Sequence, residues 1–107
     1  MDKKAALGEV ARFKTALESR GIRISKLILY GSYATGTFKD GSDIDVVVVS
    51  DDFNGKGYWE RLDVLSGAIY EVFAPIEAIA MTTDEWDGGA LSIVEYAKHG
   101  EIFYSAA

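Results

Sequence analysis

The chain has 107 residues, of which 49% are hydrophobic and 26% are charged, a composition typical of one globular domain over residues 1–107. Cysteine is absent and histidine occurs once, which excludes a disulfide framework, a thiolate metal centre and a multi-histidine site. The net charge is −6, and the 11 lysines and arginines are spread along the chain, which argues against extended nucleic-acid binding.

The first half of the chain begins with an amphipathic pattern. Apolar residues at helical spacing predict a helix over Asp2–Arg20, followed by Gly21 at the position of a C-cap. This N-terminus lacks the apolar core of a signal peptide, and no apolar run reaches the roughly 20 residues of a membrane span. We therefore expect a cytoplasmic protein. Lys26–Tyr30 reads as a short strand, and the connection from Gly31 to Ser42 is long enough for one helical turn.

The second half alternates strands and helices. The residues after the connection predict a β-branched strand (Asp43–Val49), an exposed loop (Ser50–Gly57), a helix (Tyr58–Val72) and a strand (Ile76–Met81). They then predict a helix start at the TTDEW segment, a final helix (Ala90–His99) and a short last strand at the EIFYS segment. This order predicts an α/β (α+β) fold in which helices flank a small mixed sheet.

Several aromatic residues and the lone histidine have structural interpretations. Trp59, Trp86, Tyr33 and Phe38 are interpreted as core or pocket wall, although stacking of Tyr33 or Phe38 on a base is an alternative. Tyr58, Trp59 and Tyr70 share one predicted helix, where a dimer or partner face is the alternative to core. His99 lies in the predicted last turn of a helix, where its charge suits the helix dipole, and we assign it no catalytic role.

Two carboxylates stand at the mouth of the most apolar strand. Asp43 and Asp45 are two positions apart, so in a strand both side chains point to the same face. Two adjacent carboxylates repel each other, and burying them unpaired is costly. A divalent cation removes that cost, and oxygen ligands suit Mg²⁺ or Mn²⁺. A DGSD turn (residues 40–43) in front of the strand explains Asp43 as the first strand residue, but it does not explain Asp45 within the β-branched run.

The end of the preceding strand has features of a phosphate site. Gly31 permits close backbone approach, and backbone N–H groups around Ser32–Ala34 form an anion site if a helix starts there. If the two strands are neighbours, a nucleoside triphosphate with its metal fits between them. A third acid would complete such a site, and Glu77 is the candidate because it interrupts an apolar strand. The alternative is that Glu77 faces water on an edge strand.

These residues together form a recognisable two-part motif. Gly31-Ser32 with Gly36, followed by Ser42-Asp43-Ile44-Asp45 and an apolar strand, resembles the signature of the minimal nucleotidyltransferases of the DNA polymerase β-like superfamily. The resemblance runs from about Leu27 to the C-terminus.

The resemblance implies a Mg²⁺-dependent (or Mn²⁺-dependent) transfer of a nucleoside monophosphate, with ATP as the foremost substrate, to a hydroxyl of a protein or small acceptor. In that family pattern Gly31, Ser32, Gly36 and Ser42 contact the nucleotide, while Asp43, Asp45 and Glu77 are catalytic and hold the metal. It further implies a small helical HEPN-domain protein as a partner, an antitoxin-like role in such a pair, and completion of the site by that partner or by a homo-oligomer.

One departure from the family pattern leaves an alternative open. The position before the second glycine is usually basic, but here it is Thr35, and Lys39 is the nearby residue that could compensate. The alternative interpretation is a catalytically weak or inactive subunit that binds and neutralises a HEPN-like partner.

Overall fold

The computed structural model of the chain describes residues 1–89 and 92–106. Its elements in chain order are α1 (Lys3–Ser19), β1 (Lys26–Tyr30), α2 (Ser32–Thr35), β2 (Ile44–Val49), a 3-10 turn (Asp51–Phe53), α3 (Tyr58–Val72), β3 (Ile76–Met81), α4 (Thr83–Gly88), α5 (Ser92–Ala97) and β4 (Glu101–Ser105). The predicted α/β class is confirmed, and so is the single helical turn in the β1–β2 connection.

One sheet organises these elements, with strand order β3-β2-β1-β4. β2 runs antiparallel to β1, with Tyr30 opposite Asp45, and parallel to β3, with Asp45 opposite Glu77. β1 also pairs with β4 in antiparallel fashion. The sheet is therefore mixed, and the end of β1 lies beside the beginnings of β2 and β3.

Hydrophobic residues cover both faces of the sheet. The larger core joins α1 and α3 to one face, through residues such as Phe13, Val46 and Leu65. A smaller core joins the other face, at residues such as Val47, to Trp86 of α4 and Val94 of α5. Because β2 is buried on both faces, it reads as a continuous run of valines rather than an alternating pattern.

The interpretation of Trp59 as core or pocket wall is wrong, and its alternative, a dimer or partner face, stays a prediction. The buried stripe of α3 consists of Leu65, Ala68 and Val72. Trp59 lies six positions before Leu65, which places it well off that stripe, and it is 74% exposed. Tyr33, in contrast, is buried and stacks on the partly buried Phe38 with ring centroids 4.5 Å apart. Trp86 packs against the smaller core.

Two predicted element boundaries also need correction. β2 begins at Ile44, whose N–H donates to the carbonyl of Pro75, so Asp43 precedes the strand instead of opening it. The predicted helix over Ala90–His99 is observed over Ser92–Ala97, and its predicted first two residues lie outside the described residues. It ends at Ala97, whose carbonyl accepts from the N–H of Gly100 in a tight turn, so His99 is not in its last turn.

Over the part of the chain that the structure describes, no helix is both long enough and apolar enough to span a membrane. The predicted cytoplasmic location and the predicted single domain over residues 1–107 stay predictions.

Phe73 is a strained position that offers a test of this fold. It caps α3 with φ of 56° and ψ of 49°, a left-handed conformation that a β-carbon disfavours by about 1–2 kcal/mol, and its ring is 88% exposed. Phe73→Gly removes that strain, while the greater freedom of glycine in the unfolded chain offsets part of the gain. We expect the free energy of unfolding in urea to rise by about 0.5–1 kcal/mol. Phe73→Ala keeps the β-carbon and should give no such gain; equal gains in both variants would contradict the backbone explanation.

Candidate active site

Gly31 sits where β1 turns into α2, and its backbone conformation is one that only glycine adopts readily. Its φ is 71° and its ψ is −153°. A β-carbon at this position would also collide with the carboxylate oxygen Oδ2 of Asp45. The absence of a side chain at Gly31 therefore lets the Asp45 carboxylate rest directly against the backbone turn.

Asp45 lies between two other acids in the sequence-predicted set. Burial raises the pKa of the Asp45 carboxyl above its ordinary value, and the charges of Glu77 and Asp43 raise that pKa further. Among the described residues, none of the ion pairs involves any of these three acids. The fold thus brings the predicted acids into electrostatic contact without a basic side chain to neutralise them.

The acids have the donor chemistry for a divalent cation, but they are not gathered into a finished site. Throughout residues 1–89 and 92–106, no three His, Cys, Asp or Glu side chains come together as a group that could hold a metal. Glu77 and Asp43 are exposed, and their repulsion with Asp45 favours separation. Because Mg²⁺ is commonly bound by one or two carboxylates plus substrate phosphates, the available donors suit that ion, and the metal-binding role of the three acids stays a prediction.

Glu77 satisfies both interpretations given to it from the sequence. β3 is an edge strand, and Glu77 is exposed on it, as the alternative proposed. Glu77 also pairs in register with Asp45 and raises the pKa of that carboxyl. The exposure of Glu77 on an edge strand is therefore compatible with its electrostatic effect on Asp45.

The turn after Gly31 offers two amide groups to a ligand. The N–H groups of Ala34 and Thr35 both donate to the carbonyl of Gly31. In the described part of the chain, the N–H groups of Ser32 and Tyr33 have no hydrogen-bond acceptor. The predicted anion site over Ser32–Ala34 is therefore reduced to the amides of Ser32 and Tyr33, because the amide of Ala34 already donates to the carbonyl of Gly31.

The remaining predicted nucleotide-binding residues, Gly36 and Ser42, form backbone turns in the connection between α2 and Asp43. Gly36 caps α2 with φ of 83°, and its N–H donates to the carbonyl of Ser32. The Ser42 hydroxyl accepts from the N–H of Lys39 at 2.9 Å, which fixes the loop just before Asp43. A nucleotide contact by Gly36 or Ser42 stays a prediction.

Sequence reasoning missed the aromatic wall beside the acids. Burial, followed by the charges of Asp45 and Glu77 and by Tyr96, raises the pKa of Tyr30 to about 12, so its phenol stays protonated at neutral pH. The Tyr30 and Tyr96 rings pack edge to face with centroids 5.8 Å apart. The alternation along β1 could have placed Tyr30 on the acid face, but nothing local in the sequence marks Tyr96.

A cleft of about 810 Å³ opens next to Gly31 and this aromatic pair, with α2 on one side and α5 on the other. It is within the size range of small-molecule sites. Its lining residues are Tyr30, Gly31, Ala34, Thr35, Ser92, Glu95, Tyr96, His99, Gly100 and Glu101. His99, to which we assigned no catalytic role from the sequence, therefore contributes to a cavity that adjoins the predicted phosphate turn.

Comparison with known proteins identifies a family signal over most of the chain. A family model described as "Nucleotidyltransferase domain" matches residues 10–87, which include Gly31 and all three acids. A protein of Methanocaldococcus jannaschii named "Putative protein adenylyltransferase" is 50% identical over 44 residues, which make up 39% of this chain and 43% of that protein. The match thus spans less than half of the length of this curated relative.

A solved structure supports the same fold. A protein of Sulfolobus solfataricus described as "a putative nucleotidyltransferase" superposes with a TM-score of 0.75, covering 97% of this chain and 84% of that one. The two sequences are 19% identical, so this likeness concerns the fold alone.

Substitution of Gly31 tests the contact with Asp45. Gly31→Ala places a β-carbon against the carboxylate in a conformation that alanine avoids, whereas Gly36→Ala meets no neighbouring atom and carries only the backbone cost of a positive φ. We expect Gly36→Ala to lose about 1–2 kcal/mol of unfolding free energy. Gly31→Ala should lose about 1–3 kcal/mol more, because of overpacking against Asp45 and because the backbone region of Gly31 is less accessible to alanine than that of Gly36. Urea unfolding measures both losses, and equal losses would show that Asp45 is free to move away.

The pH dependence of stability tests the repulsion at Asp45. Because the folded-state pKa is raised above the ordinary value of 3.8, the folded chain binds this proton more tightly than the unfolded chain. Stability is therefore lost as the pH rises through the interval above 3.8, and the loss persists at neutral pH. We expect Asp45→Asn to be more stable than the wild type at pH 7, with a smaller difference at pH 4.

Urea unfolding between pH 4 and pH 8 measures this difference. Asp40→Asn, in the exposed loop between α2 and β2, is the matched control and should not gain comparable stability at pH 7. A wild type more stable than Asp45→Asn at pH 7 would contradict the repulsion.

Proposed function

The chain belongs to the nucleotidyltransferase domain family, and from that membership we propose that it transfers a nucleoside monophosphate from a nucleoside triphosphate to a hydroxyl group of an acceptor. ATP is the foremost donor, since the M. jannaschii relative is named an adenylyltransferase. The acceptor is a protein side chain or a small molecule.

The contact between the Gly31 turn and the Asp45 carboxylate carries this proposal. The turn offers free amide groups, which favour anionic phosphate oxygens, and the carboxylate lies against the same turn. A carboxylate and a phosphate both carry negative charge, so they share such a place only when a cation lies between them. The arrangement therefore suits a triphosphate that arrives with its metal ion.

The reaction consists of one displacement at the α-phosphorus. The acceptor oxygen forms a bond to that phosphorus, the bond to the bridging oxygen of the β-phosphate breaks, and pyrophosphate leaves with the electron pair. Mg²⁺ or Mn²⁺, held by Asp43 and Asp45 with Glu77 as the third carboxylate, would supply charge neutralisation at the phosphates when bound. The exposed carboxylate of Glu77 accepts the hydroxyl proton of the acceptor.

Neighbouring residues of this chain orient the substrate. The Ser32 and Tyr33 amides, with the Ser32 hydroxyl, bind the phosphate oxygens, and the cleft beside Gly31 receives the nucleoside. The Tyr30 phenol is neutral at pH 7, as in any tyrosine, and its raised pKa of about 12 keeps it neutral beside the acids in alkaline solution as well. Gly36 and Ser42 hold the ends of the connecting loop.

A second candidate function is favoured by one observation at Thr35. Where the family pattern usually has a basic residue, the Thr35 hydroxyl bonds within its own turn, to the hydroxyl of Thr37 at 2.8 Å and to the carbonyl of Gly31. The chain thus lacks a cation at that point to hold phosphate charge. This favours a catalytically weak subunit that acts by binding a partner. The HEPN-domain partner, the antitoxin-like role and completion of the site by an oligomer stay predictions for either candidate.

Transfer from radiolabelled ATP tests the enzyme directly. With Mg²⁺ present, we expect Asp43→Asn and Asp45→Asn to reduce the rate of AMP transfer by about 10²-fold or more, because charge stabilisation at the reacting phosphate is lost. Calorimetric titration of ATP, with and without Mg²⁺, checks binding in the same samples. Asp40→Asn is the control and should retain both transfer and binding.

Two results separate the candidate functions. A folded wild type that binds no ATP in the presence of Mg²⁺ would favour the binding subunit. Transfer that continues at the wild-type rate in both aspartate variants would contradict the assignment of these acids.

A further inference from the structure

The outer edge of β3 is a second feature beside the acids, and the proposed reaction does not use it. β3 pairs with β2 along its inner edge. Within the part of the chain that the structure describes, no strand lies along its outer edge. Exposed strand edges readily pair with another extended chain, so this edge needs an explanation.

The hydrogen bonds to β2 show which residues of β3 point outward. The N–H of Ile44 donates to the carbonyl of Pro75 at one end, and the N–H of Ser50 donates to the carbonyl of Met81 at the other. Along a strand the backbone N–H and C=O groups of successive residues point to opposite sides within the plane of the sheet. The odd-numbered residues between Pro75 and Met81 therefore direct these groups toward β2. Ala78 and Ala80 therefore direct their N–H and C=O groups outward.

These outward groups border a groove of about 720 Å³. Side chains of α3, including Leu62 and Leu65, line one wall of the groove, and Ile93 of α5 lines it as well. Tyr58, which is 70% exposed, stands at its border and offers an aromatic surface. Alanine side chains leave the backbone of the edge accessible in a way that larger residues would not.

The far side of this groove is fixed by an ion pair. The Arg61 guanidinium donates to Oε1 of Glu85 at 2.6 Å and to the carbonyl of Ala80 at 3.5 Å. Its bond to Arg61, followed by the backbone bond from Thr82, holds the pKa of the Glu85 carboxyl below its ordinary value. α4 is thus tied to α3 across one end of the edge, while the N–H of Ala80 and both outward groups of Ala78 stay available in the described structure.

The groove reaches Glu77, one of the three predicted acids. Glu77 precedes Ala78 on the same strand, lines the groove and couples electrostatically to Asp45. A chain segment that paired with the edge at Ala78 would consequently have a side chain within reach of the Glu77 carboxylate. The cleft beside Gly31, which suits the nucleotide, has no lining residue in common with this groove.

We propose that the acceptor is a protein segment that binds in extended conformation along β3, adds a fifth strand to the sheet and presents a Ser, Thr or Tyr hydroxyl at Glu77. This inference rests on the proposed function and specifies where and in which conformation a protein acceptor binds. The mode is β-strand addition, in which main-chain hydrogen bonds give affinity and side-chain pockets give selectivity.

The observations favour this occupant over two others. The net charge of −6 and the acids at the end of the groove disfavour a nucleic-acid strand, whose phosphates would meet Glu77 and Glu85. A second copy of this chain would have to bring one of its own edge strands. Its β3 is bordered by the same side chains of α3 and α4, and its β4 would pair with β3 in a heterologous contact that does not close into a dimer. A single extended segment reaches a recessed edge without that obstruction.

The transfer step balances with this acceptor. The hydroxyl oxygen of the segment bonds to the α-phosphorus, its proton passes to the Glu77 carboxylate, and pyrophosphate leaves. The products are the nucleotidylated segment and pyrophosphate, so no other co-reactant is needed.

The test uses the full chain and a pool of nine-residue peptides with randomised flanks and a central Ser, Thr or Tyr. Binding is followed by the amide resonances of ¹⁵N-labelled protein, and transfer by radiolabel from ATP with Mg²⁺. We expect the Ala78 and Ala80 amide resonances to shift on binding. In the peptide that binds best, N-methylation at alternate residues should reduce labelling at least tenfold, while methylation of the residues between them should not. Only a paired strand gives this alternation.

Two protein variants serve as matched probes of the edge. Ala78→Pro and Ala80→Pro each remove one outward N–H and leave the bonds to β2 in place, since proline is tolerated at outward positions of edge strands. At least one variant should bind Mg²⁺–ATP as the wild type does and lose labelling of the peptide at least tenfold.

Several outcomes would overturn the docking proposal. They are an effect of N-methylation that does not alternate, full labelling in both proline variants, or unchanged Ala78 and Ala80 resonances with the whole pool at millimolar concentration. A dimer in sedimentation that the two proline variants abolish would also overturn it, because β3 would then pair with a second copy. The shifts of the Ala78 and Ala80 amide resonances on addition of peptide test docking even when ATP does not bind. The ATP titration judges the proposed function by itself, so the two failures are distinguishable.

Discussion

The position of β2 between two strands of opposite direction is the constraint on which the site depends. Because β1 is antiparallel to β2, the end of β1 returns to the beginning of β2. Because β3 is parallel to β2, the beginning of β3 lies there as well. Asp45 thereby gains the Gly31 turn on one side and Glu77 on the other. A register slip of one residue in either ladder would turn these groups to opposite faces of the sheet.

The valines of β2 make this arrangement stable despite its electrostatic cost. Val46, Val47, Val48 and Val49 are buried within the two cores, so the strand cannot shift without exposing apolar surface. The rigid strand holds Asp45 where burial and neighbouring charges oppose its ionisation. Carboxylates whose ionisation is opposed in this way are common at functional sites, and this supports the proposed role of Asp45.

Sequence reasoning predicted the elements and the acids because both depend on local patterns. Helical periodicity and the β-branched run identified the helices and strands, and the length of the connection allowed the single turn of α2. The Asp-x-Asp spacing identified Asp43 and Asp45, and the interruption of an apolar strand identified Glu77. The orientation of Trp59 was missed because the buried face of α3 depends on which stripe meets the sheet, and local spacing permits more than one choice. Tyr96 and His99 could not be found, because the turn between α5 and β4 brings them to the Gly31 cleft.

The contact between Gly31 and Asp45 links the evolutionary histories of two positions that are distant in sequence. A larger residue at position 31 becomes sterically acceptable only after the side chain at position 45 has been shortened, and that change removes an acid of the site. Shortening relieves the collision but not the backbone strain, since the positive φ at position 31 persists. Functional descendants of this chain therefore have no single-step route away from glycine, and variation at these two positions should be strongly epistatic.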